Sequence, residues 1–483
     1  MVASWIESEF ASLSLGDKRR NNRAAVILDQ FSRIAESTPD ACQDQASLEA
    51  TYRFARNPAA RPEAIMQAHN RASIARSAEH ECVVLVQDTS IIDLTKPNRQ
   101  VRGAGPLEND QKRGLFIHPL YGLTESGLPL GLFDQVIWTR GELRSELTRA
   151  QKARLRKQTV FEEKESCRWL EMFQSGEQIA RANPGTHYIN VADSESDICE
   201  LYAQTQELPS NYDFIIRGCQ NRGLVAGTGP GGAKNVDEAL LEAEVCLHTE
   251  ATVSERTSLI VGENRPRRKS RAARQAKLQV RATQVRLRGP ARAGGKLADV
   301  TLNVVEAVET DPPLGEEPIR WVLFTSLPIS SIAQIQRVLQ LYERRWQIEL
   351  YFKTLKTGLG IEKLKYEELD RYLTALSLLM IVAWRVEQIK GAARVAPEAS
   401  CEQYFERSEW LPAYMVFTKS KEQPATPPTM SRFMLIVAQL GGYLNKKGQG
   451  PPGSMTIWRG LRRMEAFSEA FAVYESLNPR CVG

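Results

Sequence analysis

What the chain lacks narrows its chemistry first. Histidine is scarce, five among 483 residues, and the eight cysteines are scattered without a Cys-x-x-Cys pair. Structural zinc and a disulfide framework are both set aside on that ground, and reduced thiols are the expectation. No long hydrophobic run is present. The most lipophilic stretch, Leu373 to Trp384, is about half of what a bilayer span needs and reads as a buried helix. The opening residues, MVASWIESEF, carry two glutamates and no apolar run, so no secretory signal is expected and a cytoplasmic location is. The apolar fraction of 42% and charged fraction of 25% are ordinary for a globular protein, which excludes disorder or a fibre as the main reading. At this length one core is not enough, and about two to four domains are expected.

The net charge is +5, but it is unevenly placed: Asn264 to Arg292 holds eleven Lys or Arg and no acid, leaving six net negative charges for the rest. A block of one sign repels itself and stays open unless a polyanion neutralises it. Nucleic-acid backbone suits it best, since neutralising phosphates releases counterions and gives affinity without sequence preference.

Pattern along the chain divides it further. Residues to about Pro62 read as helical, with Trp5, Phe10, Leu13 and Leu15 near helical spacing, an interruption at Gly16-Asp17, and a second helix from Asn22 to Ala35. A hydrophobic strand, Cys82 to Gln87, runs up to Asp88. Gly114 to Leu123 and Leu128 to Trp138 form a hairpin pattern around Glu-Ser-Gly at 125–127. A helix over Phe161 to Ala182 stops at Pro184-Gly185. A strand from His187 to Ala192 then ends at Asp193, and another spans Tyr212 to Arg217. About a hundred residues of β-prone, then basic, character follow. The pattern resumes with a strand at Trp321 to Thr325 and a long helix from Ser331 to about Gly358, and the last ninety residues are mostly helical around a polar loop at 445–453.

Two aspartates, Asp88 and Asp193, thus end buried strands, and one glutamate, Glu349, lies on a later helix. Phosphoryl transfer by two metal ions needs converging carboxylates that hold two cations ~4 Å apart. A ligand set of hard oxygens favours Mg²⁺, with Mn²⁺ as substitute. Strand-end acids are common as turn formers, so this signal alone is weak. The helix sharpens it. Tyr342, Arg345, Glu349, Lys353 and Lys356 fall within an arc of about 80° at about 100° per residue, beside an apolar arc of Leu341, Ile348, Phe352 and Leu355. A solvated face with ion pairs such as Arg345–Glu349 would look the same on this segment alone.

The pattern Y-x-x-R-x-x-x-E-x-x-x-x-x-x-K, filled by Tyr342, Arg345, Glu349 and Lys356, resembles the YREK signature of insertion-sequence-four family transposases. The likeness runs almost the full length: LGDKRR at 15–20, TYRFARNP at 51–58, QDTS at 87–90, ADSESDI at 192–198, RWVLFTS at 320–326 and ERRWQIELYFKTLKTG at 343–358. The resemblance implies an α/β chain with a ribonuclease-H-like catalytic core. Asp88, Asp193 and Glu349 would be its catalytic, metal-holding triad, taking two Mg²⁺. It implies that Arg345 and Lys356 hold DNA phosphates with Tyr342 in support. Arg217 and Trp321 would sit near the scissile end, and Arg19, Arg20, Arg23 and Arg53 would recognise transposon ends. Lys353 joins the phosphate candidates by its place on the stripe. Trp321 is equally readable as a core tryptophan of a strand. Asp93, Glu195, Asp197 and His118 are set aside, Asp197 as a helix cap or a support for the triad and His118 as a satisfied core histidine.

The expected organisation is a helical DNA-binding domain over 1–62, a catalytic domain over 63–392 with a β-rich basic insertion at about 218–318, and a helical dimerisation domain over 393–483. The expected function is cut-and-paste DNA transposition: end cleavage, through a hairpin by resemblance, and joining of 3′-hydroxyls to target DNA. The expected partners are double-stranded DNA, at transposon ends and target, and a second copy of the chain, with no membrane and no nucleotide cofactor, acting at the nucleoid. A DNA-binding regulator without catalysis and a stand-alone nuclease are the alternatives.

Overall fold

The computed structural model describes residues 2–33, 38–42, 44–96, 100–108, 111–141, 148, 151, 159, 161–253, 256–260, 267–292 and 295–477, with backbone alone at 40, 162, 256–260, 267–271 and 475. Contacts divide the chain into two units, Met1–Val160 with Trp346–Gly483, and Phe161–Arg345.

The first unit opens on four helices, Ser4–Glu9, Lys18–Arg33, Thr38–Cys42 and Gln45–Ala55. The second starts four residues before the sequence pattern suggested. The Asp17 carboxylate accepts the Arg19 amide at 2.8 Å, satisfying an amide that a helix start leaves open. Its expected end at 34–35 lies outside the described residues. Asp44 caps the fourth helix by accepting from the Ser47 amide at 2.8 Å. The helix Pro62–Ser77 follows, and a buried polar knot fastens the first helix to it. Glu9 Oε2 lies 2.6 Å from His69 Nδ1, while His69 Nε2 accepts the Leu132 amide at 3.1 Å, so the imidazole is neutral with its proton on Nδ1. Arg76 adds a second partner to Glu9. Burial opposes ionisation of Glu9, but His69 and Arg76 outweigh it and hold the carboxyl below its ordinary range.

The strands of this unit pair antiparallel: Arg113–Thr124 lies between Cys82–Gln87 and Pro129–Trp138, with the short strand Ser90–Asp93 also on Arg113–Thr124. The helix Leu369–Val395 is apolar on all sides, a composition that length alone would let cross a bilayer, yet 89% of its most apolar window is buried inside the protein. It is the core helix the sequence suggested, extended at both ends. Beyond it, Trp410, Phe433, Met430 and Ile436 form a second core with Arg407–Thr418, Met430–Leu440 and Ser454–Leu477. The last two helices cross at glycines. A Cβ at Gly460 would lie 1.8 Å from the Val437 carbonyl, and one at Gly441 1.8 Å from that of Thr456.

In the second unit, the helix Cys167–Ala182 precedes the strand His187–Ala192, which pairs in parallel with Tyr212–Arg217. Antiparallel pairing continues from Tyr212–Arg217 through Arg320–Thr325, Val300–Glu309 and Arg274–Leu287 to Val245–Val253. The antiparallel set around Cys82–Gln87 and the parallel pair starting at His187–Ala192 are the strands a ribonuclease-H-like core requires, and the β-rich insertion is present as expected.

Two expectations change. The basic block is not uniformly open. Residues 264–266 lie outside the described residues, while Arg267–Arg271 pairs as a strand with Arg256–Ile260. Farther on, Arg274 bonds Glu309 at 3.0 Å and Glu316 at 2.5 Å, Arg281 lies 3.6 Å from Glu306, and Arg292 lies 2.7 Å from Glu200. Acids distant in sequence neutralise part of a block that looks single-signed in isolation. The long helix is also interrupted. Ser331 and Gln334 form a capping box at its start, but it ends at Glu343. Arg344 and Arg345 donate to the carbonyls of Leu341 and Tyr342, three residues back. A new helix covers Trp346–Lys353, and a widened turn covers Thr354–Gly358, closed by the Leu359 amide on the Thr354 carbonyl at 2.8 Å. Arginine is a good helix former, so local propensity does not cause the break. The break falls where the chain passes from one unit to the other.

Candidate catalytic and DNA-contact residues

Within the first unit, the strand Cys82–Gln87 is buried from Val83 onward and delivers Asp88 half-buried at its end. The Asp88 carboxylate accepts the Thr89 amide at 2.7 Å. Gln87 Oε1 can only accept, so His118 Nε2 donates to it at 3.0 Å, and Nδ1 takes the Thr89 hydroxyl at 2.8 Å. His118 is a satisfied core histidine, as expected, and it fastens both neighbours of Asp88. Ile348, Tyr351 and Phe352 bury one face of the helix carrying Glu349, which leaves Glu349 half-buried and Lys353 exposed. Lys356 sits in the widened turn, with Nζ 3.4 Å from Ser90 Oγ and 3.9 Å from Glu362 Oε1. It thus reaches the start of the strand Ser90–Asp93, two residues beyond Asp88. Sequence reading passed over Ser90 and Glu362; Ser90 lies in the QDTS block, and nothing local marks Glu362.

Arg19, Arg20 and Arg23 lie on the helix Lys18–Arg33, and Arg53 on Gln45–Ala55. Arg19 and Arg53 are exposed, whereas Arg20 gives Nη1 to the Leu15 carbonyl and so holds the preceding loop.

Within the second unit, five of the named residues share one neighbourhood. Tyr342 is 4% exposed, and its ring packs edge-on to Trp321 with centroids 5.7 Å apart. Burial pushes its phenol up, the positive charges of Arg217 and Arg345 oppose that, and the negative charge of Asp193 adds to it. Trp321 is half-buried, between its two sequence readings, with its ring committed to Tyr342. Asp193 ends the strand His187–Ala192, and its Oδ1 accepts the Glu195 amide at 2.9 Å.

Asp197 does not cap the following helix, whose cap position is Ile198. Its buried carboxylate instead gathers Tyr202 OH at 3.0 Å, the Cys219 and Gln220 amides at 2.8 and 3.0 Å, and Arg222 Nε at 2.7 Å. It therefore staples the loop after Asp193 to the loop after Arg217.

Among the described residues, no three or more His, Cys, Asp or Glu side chains stand gathered as a metal cluster. Asp88 and Glu349 belong to the first unit and Asp193 to the second. The donor chemistry fits a divalent metal: all three are carboxylates, the hard oxygen donors such ions select. Beside Asp193, the Glu195 carboxyl is pushed up by burial and then by the charges of Asp193 and Glu165, a crowding of like charge that a cation relieves.

Three family models match the chain. The family described as transposase DNA-binding matches residues 2–60, the transposase DDE domain residues 199–385, and the transposase Tn5 dimerisation domain residues 381–478. The DDE match contains Arg217, Trp321, Tyr342, Arg345, Glu349, Lys353 and Lys356. A solved piggyBac transposase synaptic complex with hairpin DNA is similar at 10% identity and a TM-score of 0.35, covering 96% of this chain and 81% of that one. An α/β sheet framework, a DNA-binding domain, a DDE domain and a dimerisation domain in one chain define a DNA transposase, an enzyme class that uses divalent metal. Within that class, the chain belongs to the Tn5-like DDE transposases.

Proposed function

We propose that the chain carries out cut-and-paste transposition, with Asp88, Asp193 and Glu349 as its catalytic carboxylates. The observation that supports this most is the grouping of Asp193, Arg217, Trp321, Tyr342 and Arg345 in one neighbourhood, an acid beside two cations and two aromatic rings. Mg²⁺, or Mn²⁺ in its place, would be held by the three carboxylates and would polarise the phosphate and the attacking and leaving oxygens.

The chain's own residues do the rest. Arg345, Arg217 and Lys356 bind phosphate oxygens of the cleaved end, Lys353 adds an exposed charge on the same segment, and Trp321 and Tyr342 form an apolar wall beside the scissile end. Water attacks the end phosphate, a new O–P bond forms, and the bond to the 3′-oxygen breaks, freeing a 3′-hydroxyl. That hydroxyl attacks the opposite strand to form a hairpin, a second water opens it, and the freed 3′-hydroxyl joins a phosphate of target DNA. Each step is an in-line exchange of one P–O bond for another, so positioning and electrostatics supply the catalysis. Residues 1–62, with Arg19, Arg23 and Arg53, read the ends; 63–392 cleave; and 393–483 pair two copies on DNA at the nucleoid.

The test is incubation of the full chain with labelled end DNA, a target plasmid and Mg²⁺. Strand-transfer product is expected, and Asp193→Ala should lose cleavage and transfer while keeping end binding. Binding without cleavage by the unaltered chain would instead identify a regulator, and cleavage without joining a nuclease. Wild-type nicking by Asp193→Ala would remove Asp193 from the triad.

A further inference from the structure

The core helix Leu369–Val395 buries an acid that the reaction above does not use. The Glu387 side chain is 7% exposed. Its Oε1 accepts the Thr354 hydroxyl at 2.5 Å, the Ser454 hydroxyl at 3.0 Å and Lys390 Nζ at 2.9 Å, and its Oε2 accepts Lys390 Nζ at 2.8 Å. Lys390 also donates to Ser454 Oγ at 2.6 Å. A buried carboxylate with this many donors is stable only while they stay in place, because losing one leaves charge without compensation in a low dielectric.

The partners come from three places in the chain. Thr354 is the first residue of the widened turn Thr354–Gly358 that carries Lys356. Ser454 is the first residue of the C-terminal helix Ser454–Leu477, inside the dimerisation match. The other end of the turn meets the same helix: a Cβ on Gly358 would lie 3.8 Å from Met455 Sδ. Widened turns of this kind are uncommon in helices and frequent at functional sites. Relaxing one to ordinary helical spacing changes the direction of each later side chain, and Lys356 is the third residue of the turn.

We propose that Glu387 is a positioning residue that ties the start of the dimerisation helix to the turn bearing Lys356, so that seating of that helix sets where the Lys356 ammonium stands. The inference rests on Lys356 as a contact to the phosphate of the cleaved end. Pairing of two copies through the C-terminal region thereby acts on cleavage from inside each chain, through Ser454, Glu387 and Thr354 in turn.

Single-turnover nicking of pre-bound, labelled end DNA by the full chain tests this, with gel-shift affinity measured alongside. Thr354→Val keeps the shape of the side chain and removes the donor. It should leave end affinity unchanged and slow nicking by about tenfold to a hundredfold. Thr354→Ser restores the hydroxyl and should recover most of the rate, and Ser454→Ala should be slowed as well. Lys356→Ala should be slow by itself, and adding Thr354→Val to it should slow it no further; a merely structural role would make the two losses multiply. Wild-type nicking by Thr354→Val beside a slow Lys356→Ala overturns the positioning role alone, as does a Thr354→Ser as slow as Thr354→Val. Wild-type nicking by Lys356→Ala overturns the phosphate contact on which the inference stands. Should Thr354→Val fail to fold, Ser454→Ala decides: slowed nicking with unchanged affinity supports the coupling, and a wild-type rate overturns it.

Discussion

Changing Glu409 to glutamine should stabilise the protein at alkaline pH and do little in acid. Glu409 lies in the first turn of Arg407–Thr418 and lines a cavity of about 60 Å³ with Trp5, Arg385, Trp458 and Glu465. Burial pushes its carboxyl up from 4.5 to about 7; the Glu406 amide and the Arg385 charge oppose the shift, and Glu465 and Glu406 add to it. A carboxyl raised in the folded state binds its proton there at pH values where the unfolded chain has released it. Stability therefore falls as pH rises from about 4.5 to about 7 and then stays level. The shift corresponds to at most about 3 kcal/mol. Glu409 is half-buried rather than sealed, so solvent screening leaves about 1–2 kcal/mol as the working expectation. Glutamine mimics the protonated acid, and its carbonyl can still accept the Glu406 amide, which bonds Glu409 at 2.7 Å and completes the capping box. The assay is thermal or urea unfolding of the full chain and of Glu409→Gln at several pH values between 5 and 9. The stability difference should open in favour of the variant between about pH 5 and 7.5 and hold level above. A constant difference across the range, or one that grows toward acid, would refute the reasoning.

Three further outcomes follow from the geometry. Arg345→Lys should slow single-turnover nicking more than Lys356→Arg does, because a guanidinium grips phosphate through two parallel bonds and an ammonium through one centre; equal rates for Arg345→Lys and the unaltered chain would leave Arg345 a surface charge. Replacing the exposed Lys277, Arg286 and Arg288 together by glutamine should flatten the plot of log DNA affinity against log salt by up to about three contacts' worth, whereas Arg274→Gln, which removes the cation held between Glu309 and Glu316, should lower stability and leave the slope unchanged. Gly460→Ala should cost about 1–3 kcal/mol in unfolding, because its methyl would meet the Val437 carbonyl, while alanine at Gly450, where a Cβ meets nothing, should be silent.

Much of the fold was legible because its strands announce themselves within a few residues. Cys82–Gln87 and His187–Ala192 are largely β-branched and apolar runs, each followed by an aspartate, and burial on both faces favours that composition. The hairpin at 125–127 was legible through its turn residues, and the core helix through its lack of any polar face. The interruptions of the long helix were not legible. Two tightened turns at Arg344 and Arg345 and a widened one at Thr354–Gly358 interrupt the helix expected from Ser331 to about Gly358. The tightened turns fall on arginines, good helix formers that leave no trace of a break, whereas Thr354, Thr357 and Gly358 in the widened turn are poorer ones.

The pairing of part of the basic block was hidden for a different reason, and the same reason hid the partners of Glu387. A run of cations is visible in a window of thirty residues; the acids that cancel part of it are not, because Glu200, Glu306, Glu309 and Glu316 come from elsewhere in the chain. Glu387 presents the converse case. In sequence it is one acid in a helix with Lys390 three residues on, which reads as a surface pair worth a few tenths of a kcal/mol. In the fold the same pair is buried, with hydroxyls from residues 354 and 454 closing the remaining valences, and its loss then leaves a charge inside the protein instead of in water. Local sequence reports which groups can ionise, but only the tertiary partners decide whether an ionised group is solvated, paired or held as a strut. Asp88 and Asp193 stand out because each follows a buried strand; Glu387 is ordinary until the chain brings Thr354, Lys390 and Ser454 to it.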